Sequence, residues 1–174
     1  MTVIIDSEDG FTYNLYQELA GLGAAKIING GLDALDLIAL NPSRVVLLGS
    51  EKADIIKQLG ATIPILGVGE GLRAICETFG GTLKPEIMHG KSALVNLDNG
   101  CPLFKGLPPK INAGMYYSYI IDALPQELLP TAFDSEGRIM AIKHREYKIF
   151  GLQFEPSSIL TENGNMILRN FLEV

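Results

Sequence analysis

The stretch PILGVGEGLRAI, residues 64 to 75, decides the fold. Its apolar beginning predicts a buried strand, its alternating glycines Gly67, Gly69 and Gly71 predict a tight elbow, and the residues that follow predict the start of a helix. In α/β enzymes, an elbow between a strand and a helix exposes the nucleophile at the top of the sheet. Here the apex is Gly69, which has no side chain that can attack a substrate. The fold is therefore easier to predict than the chemistry.

The first half of the chain alternates short apolar runs with stretches of helical spacing. Phe11, Leu15, Leu19 and Leu22 recur at helical spacing, with Asp9 before them as a candidate N-cap. The whole pattern predicts strands over residues 3–5, 25–28, 44–48 and 63–68, and helices over residues 11–22, 32–40, 52–59 and 71–79. This repeated order is typical of a parallel sheet with helices on both faces.

The second half carries strand signals joined by turns, of which Asp134-Ser135-Glu136-Gly137 is typical of a hairpin. The pattern predicts strands over residues 93–97, 113–119, 131–133, 138–143 and 149–154, and a closing helix over residues 161–172. The sequence therefore predicts an α/β fold with an open, mostly parallel sheet flanked by helices and a smaller antiparallel portion in the second half. We expect one domain over residues 1–174.

Composition excludes several classes of protein. The net charge of −6, without a run of Lys or Arg, disfavours a nucleic-acid partner. The apolar runs are too short to cross a bilayer and the N-terminus lacks the features of a signal peptide, so we expect no membrane association and a cytoplasmic location. The two cysteines predict no disulfide, because Cys76 lies in an apolar helical stretch typical of a buried thiol and Cys101 lies in a turn.

Metal and cofactor signals are weak. The only histidines, His89 and His144, lie in different segments without the spacing of metal ligands. The glycines of the elbow lack the Lys-Ser/Thr of a phosphate-binding loop and the later acidic residue of a dinucleotide site. We therefore expect neither a bound metal nor a cofactor.

Several segments in a fixed order, spread over essentially the whole chain, carry a family resemblance. Besides the strand before the elbow they include Met88-His89-Gly90-Lys91, His144-Arg145-Glu146-Tyr147 and Gly151-Leu152-Gln153-Phe154. On these residues the sequence resembles the class I glutamine amidotransferases, and most of all the small subunits of anthranilate synthase and aminodeoxychorismate synthase. The resemblance implies the α/β fold and a role in tryptophan or folate biosynthesis.

The resemblance also implies a catalytic triad that this chain lacks. The family hydrolyses glutamine with a cysteine at the elbow, assisted by a histidine and a glutamate late in the chain. The matching positions hold Gly69, Glu155 and Ser157 here. The turn that supplies oxyanion stabilisation in the family is shortened to Gly49-Ser50. The sequence therefore predicts no catalytic residue of the family's kind.

Two interpretations of the altered pocket stay open. Arg73 stands where the family has a glutamine that contacts substrate, and Tyr117 replaces a histidine. In the first interpretation the pocket is rebuilt, and Glu70, Arg73, Tyr117, Ser118 and Glu155 converge to bind a polar ligand or to perform acid/base chemistry. In the second, Glu70 and Glu155 are solvated or are neutralised by Arg73.

Two functions follow from these observations. The first is a catalytically inactive subunit that binds, and regulates or stabilises, the large subunit of a chorismate-using synthase, with ammonia taken from solution. Its candidate interface is the segment His89, Gly90 and Lys91, which keeps the family's character outside the triad positions. The second function is a small-ligand binder, or an enzyme of different chemistry, in the rebuilt pocket.

Overall fold

The computed structural model describes residues 1–6, 9–29, 31, 33–49 and 53–174. Within these residues the strands are β1 (Thr2–Asp6), β2 (Ala25–Asn29), β3 (Arg44–Leu47), β4 (Ile65–Val68), β5 (Thr82–Leu97), β6 (Lys110–Ala123), β7 (Leu128–Asp134), β8 (Ile139–His144) and β9 (Ile149–Leu152). The helices are α1 (Thr12–Leu22), α2 (Ala34–Ala39), α3 (Ala53–Leu59), α4 (Glu70–Thr78) and α5 (Gly164–Glu173), with a short 3-10 turn at Pro102–Phe104.

All of these strands join one sheet in the order β2-β1-β3-β4-β9-β8-β7-β5-β6. The strands from β2 to β9 in this order run parallel, and those from β9 to β6 pair antiparallel. The predicted α/β class, with a parallel first half and antiparallel strands in the second, is confirmed. The antiparallel portion is larger than expected because β5 and β6 are longer than their sequence signals.

Helices cover both faces of the sheet and bury two apolar clusters. On one face α1 and α5 pack with side chains such as Leu15 and Phe171. On the other face α2, α3 and α4 contribute Leu37, Ile56 and Ile75. The inner strands are buried on both faces, which explains why they read as continuous apolar runs.

The long hairpin of β5 and β6 extends beyond the body of the sheet. Residues 82–91 of β5 pair only with β6 among the described residues, since the ladder between β5 and β7 covers only 95–97. We call residues 82–91 and 116–123 the arm. The sequence predicted no strand over 82–91, because most of these side chains are exposed and show no apolar alternation. Pro85 and Gly90, which favour turns, stand here at register shifts.

Two predicted helix starts are wrong. Asp9 is not the N-cap of α1: the cap residue is Phe11, and the Asp9 carboxylate accepts a hydrogen bond from the Phe11 backbone N–H at 2.7 Å. The closing helix begins at Gly164 and not at residue 161, because Thr161 takes part in turns that hydrogen-bond back to residues 114, 155 and 158.

Some expectations fall outside the described residues. They are the helix starts at Leu32 and Lys52, the residues Ser7 and Glu8 after β1, and Ser50 of the shortened turn. Across the described part of the chain, no helix has both the length and the apolar character needed to cross a membrane.

Candidate functional site

The elbow keeps the backbone of a turn that presents a nucleophile. Gly69, between β4 and α4, has φ 56° and ψ −110°, a conformation that side-chain-bearing residues rarely adopt. A Cβ added at Gly69 would meet no atom within 4 Å. The apex therefore has room for a side chain, and the backbone alone makes glycine favourable there.

The flanking glycines of the elbow are required for a different reason. A Cβ on Gly71 would lie 2.0 Å from the backbone oxygen of Leu47, and a Cβ on Gly67 would lie 2.4 Å from the backbone of Gly71. Both contacts are far inside van der Waals distance, and both are with backbone atoms that cannot rotate away. Gly67 and Gly71 thus allow α4 to approach β3 and β4 closely.

A pocket of about 180 Å³ opens beside this elbow. It lies between the elbow, the entrance to α1, the arm and the segment that follows β9. The position agrees with the rule that α/β proteins bind ligands beyond the carboxyl ends of parallel strands. All five predicted pocket residues line it, namely Glu70, Arg73, Tyr117, Ser118 and Glu155, together with His89 of the arm.

Glu155 is the most perturbed acidic group of this pocket. Its side chain is buried, and Oε1 accepts hydrogen bonds from the backbone N–H of Ser157 at 2.9 Å and from the Ser157 hydroxyl at 2.6 Å. Burial raises the pKa of Glu155 to about 7, the nearby Asp9 raises it further, and the two bonds from Ser157 oppose the shift. Glu155 therefore exchanges its proton near neutral pH, as acid/base groups do.

Arg73 does not neutralise Glu155, so that part of the second interpretation is wrong. Its guanidinium contacts Glu77 at 3.1 Å and Glu70 at 3.5 Å on its own helix. It also lies 4.9 Å from the ring centroid of Tyr119 in the arm. The hydrogen bond to Glu77 is the main reason that the pKa of Arg73 is raised. The solvation or pairing expected for Glu70 holds, since Arg73 is its partner.

Tyr117 and Ser118 enter the pocket wall without meeting Glu155. The Tyr117 hydroxyl points to the sulfur of Met88 at 3.8 Å, and burial raises its pKa. The Ser118 hydroxyl lies 3.2 Å from Nε2 of His89. The predicted cluster is therefore brought to one pocket, but its members form separate pairs.

The candidate interface residues lie on the arm, next to the pocket. His89, Gly90 and Lys91 are exposed, and Gly90 has φ 69° at the register shift between His89 and Lys91. The shift turns this edge of the arm outward. The positions suit contact with another protein, although no described residue tests that role.

Sequence reasoning missed Gln153, Asp9 and Tyr116, which also line the pocket. Gln153 follows the last residue of β9, so the rule on strand ends would have found it once β9 was placed beside β4. Its amide oxygen is buried and has no hydrogen-bond partner among the described residues. Asp9 was assigned to a helix cap instead.

Neither cysteine lies in this pocket. Cys76 is fully buried in α4, and burial raises its pKa to about 11, so its thiol stays protonated at neutral pH. Cys101 is also buried, and its pKa is raised for the same reason. Among the described residues, no three His, Cys, Asp or Glu side chains are grouped to hold a metal ion.

Comparisons with known proteins agree with this geometry. The chain matches the family described as glutamine amidotransferase class-I over residues 3–174. It is 36% identical over 186 residues to aminodeoxychorismate synthase component 2 of Escherichia coli (strain K12), covering 99% of each chain. It is 39% identical over 187 residues to anthranilate synthase component 2 of Cyanophora paradoxa, covering 99% of this chain and 98% of the relative.

A solved structure shares the architecture. It is a glutamine amidotransferase from Thermotoga maritima, which superimposes with a TM-score of 0.73 at 14% identity, covering 99% of this chain and 96% of that one. A GMP synthase component from Thermoplasma acidophilum superimposes more closely, with a TM-score of 0.86 at 24% identity, covering 99% of this chain and 92% of that one. At these identities the likeness shows a common fold.

Proposed function

We propose, from the premise that the chain belongs to the class I glutamine amidotransferases, that it is a member without glutaminase activity which binds the large subunit of a chorismate-using synthase. The observation that carries the first half of the proposal is Gly69. The elbow presents its apex to the pocket, and the residue there has no nucleophilic atom. Covalent acyl transfer needs a nucleophile, an adjacent base and donors for the oxyanion.

The late turn supports the same conclusion. Glu155 stands where the family has the histidine that activates the nucleophile, and Oε1 of its carboxyl group is engaged by Ser157. Ser157 in turn occupies the glutamate position, and its hydroxyl donates to Glu155 instead of orienting an imidazole. Cys76 cannot substitute, since its thiol is buried away from the pocket and stays protonated at neutral pH.

The second half of the proposal rests on the relatives and on the arm. The relatives named above are second components of aminodeoxychorismate synthase and anthranilate synthase, so a first component is the natural partner. His89 and Lys91 offer exposed polar and charged groups beside the pocket. A specific interface of this kind buries roughly 1,200 to 2,000 Å² in total.

Glutamine turnover tests the loss of activity. Ammonia release from glutamine by the purified chain should equal that of Gly69→Ala, the matched control in which no nucleophile can be present. Gly69→Cys should stay inactive. Adding Glu155→His and Ser157→Glu should leave activity poor, since each missing oxyanion donor costs roughly a hundredfold or more. Turnover by the unmodified chain that survives Cys76→Ser and Cys101→Ser would refute this half of the proposal.

Calorimetric titration tests the partner. The chain should bind the large subunit of anthranilate synthase or of aminodeoxychorismate synthase, and His89→Ala with Lys91→Glu should weaken binding at least about tenfold, or about 1.4 kcal/mol. Lys148→Glu is the matched control, because this exposed lysine precedes the amino end of β9, away from the pocket. Failure of both large subunits to bind would remove this half of the proposal and leave the loss of activity standing.

A further inference from the structure

Gln153 supplies a polar group that nothing else in the described chain satisfies. Its side chain is only 3% exposed and lines the pocket, and its Oε1 has no hydrogen-bond partner among the described residues. Buried polar atoms are almost always paired with protein, water or a ligand. Because the amide can rotate to offer either oxygen or nitrogen, Gln153 indicates a polar ligand without fixing its charge.

Glu155 fixes the charge of that ligand. It is only 6% exposed, and its Oε1 takes both bonds from Ser157 while Oε2 has no hydrogen bond to any described residue. No Lys or Arg among the described residues forms an ion pair with Glu155. A buried carboxylate is stable in its ionised form when a cation reaches it. The free oxygen therefore favours a ligand that carries positive charge and N–H donors.

The remaining charges around Glu155 strengthen this preference. The other ionisable side chains of the pocket are Asp9, Glu70, Arg73 and His89, besides its tyrosines. Arg73 is already occupied by Glu70 and Glu77. Asp9 lies close enough to Glu155 to raise its pKa. The net field at Glu155 is therefore negative and attracts cations.

Aromatic rings complete the wall. Phe11 and Tyr116 pack with their ring centroids 4.5 Å apart, and both line the pocket with Phe154. The faces of aromatic rings attract cations, and rings combined with a carboxylate are typical of sites for organic ammonium ions. The volume of about 180 Å³ limits the ligand to a small one.

We infer that this pocket binds a small organic ammonium ion, with Glu155 accepting its N–H donors, Gln153 as a second polar contact and the rings of Phe11 and Tyr116 beside its charge. The inference goes beyond the proposed function, because it needs neither a synthase partner nor the absence of glutaminase activity. It assigns a ligand class to a position where the family has a catalytic histidine.

Calorimetric titration with methylammonium chloride at pH 8, against sodium chloride at equal ionic strength, tests it. Methylammonium should bind saturably. Glu155→Gln, which keeps the shape and removes the charge, should weaken binding at least about tenfold. Glu18→Gln, an exposed glutamate on α1, is the matched control and should leave binding unchanged. Glu155→Asp, which retains the charge on a shorter side chain, should bind with intermediate affinity and shows whether the pocket survives substitution.

The pH dependence is a second, independent readout. Because Glu155 has a pKa of about 7, its ionised fraction rises about tenfold between pH 6 and pH 8, and methylammonium affinity should rise by the same factor. His89→Gln should keep this dependence, since the only other ionisable ring nitrogen of the pocket is then removed. Binding near pH 7 should also release protons, measured as a dependence of the heat on the buffer.

Three outcomes would overturn the inference. Methylammonium without effect beyond that of sodium removes the site. Equal binding of tetramethylammonium, which has no N–H donor, at every pH assigns the site to the rings alone. Tighter binding of L-glutamine that survives Glu155→Gln shows that the pocket keeps the family's substrate preference, because the carboxylate of an amino acid should be repelled by the acidic wall.

Discussion

The elbow at Gly69 and the turn at Glu155 face one pocket, yet they differ in what their residues are needed for. At the elbow every constraint is on the backbone: Gly67 and Gly71 allow close packing, and Gly69 accepts a positive φ. At the late turn the constraint lies in side chains, because Ser157 holds the buried carboxyl group of Glu155. The elbow can therefore persist as architecture without chemistry, whereas the late turn needs its own polar pairing to be stable.

The largest effect should come from Gly71→Ala. The added Cβ would lie 2.0 Å from the Leu47 backbone oxygen, so α4 must move off the sheet, at a cost of at least about 3 kcal/mol in the free energy of unfolding. Urea denaturation measures this loss. Gly21→Ala, within α1 and with no atom near its Cβ, is the matched control and should gain about 0.5–1 kcal/mol. Equal stability of the two variants would show that the elbow has no packing role.

Glu155→Gln should stabilise the protein at high pH. The folded pKa of about 7 lies above the ordinary value of 4.5, so the folded state binds more protons and loses stability as pH rises from 4.5 through 7. Removing the charge should recover up to about 3 kcal/mol at pH 8.5 and nothing at pH 4. Thermal melts across this range measure the difference. Glu18→Gln should show no such pH dependence, and lower stability of Glu155→Gln than of the unmodified chain at pH 8.5 would contradict the raised pKa.

Gly69→Ala should cost about 1–2 kcal/mol of stability. The reason is the φ of 56°, since the space around the new Cβ is empty. Gly69→Cys should cost the same, because the strain arises at the Cβ and not at the sulfur. Denaturation of both variants beside Gly71→Ala separates backbone strain from a steric clash, and an unchanged stability of Gly69→Ala would mean that the elbow relaxes to a negative φ.

His144 supplies the smallest expected effect and the opposite sign. It is buried between Phe79 and Tyr147, its Nδ1 accepts the backbone N–H groups of Glu146 and Tyr147, and burial lowers its pKa. The unfolded state therefore binds more protons, and the His144 contribution to stability is lost as pH falls through 6.5.

The measurement is best made in the Glu155→Gln background, which removes the opposing titration. Stability of that variant should fall between pH 7.5 and pH 5.5, and adding His144→Gln should flatten the fall. His89→Gln, which replaces an exposed histidine, is the matched control. A fall of equal slope in both double variants would exclude His144 as its source.

The sequence predicted the parallel half of the fold well, since its buried strands are apolar on both faces and its helices have regular spacing. It failed for residues 82–91, where a strand exposed on both faces has no periodic signal. For the site, glycine spacing identified the elbow. The pairings of Arg73 and the isolation of Gln153 could not be predicted, because both depend on which side chains the arm and the segment after β9 bring together.

The arm also bears on how the free chain avoids self-association. Over residues 82–91, the edge of β5 away from β6 is unpaired among the described residues, so it offers backbone groups to any other strand. Pro85 lacks an N–H, Gly90 bends the edge, and Lys84 and Lys91 place charges along it. These features oppose edge-to-edge aggregation. The chain is thus equipped to persist unassembled, which gives it time to meet a partner.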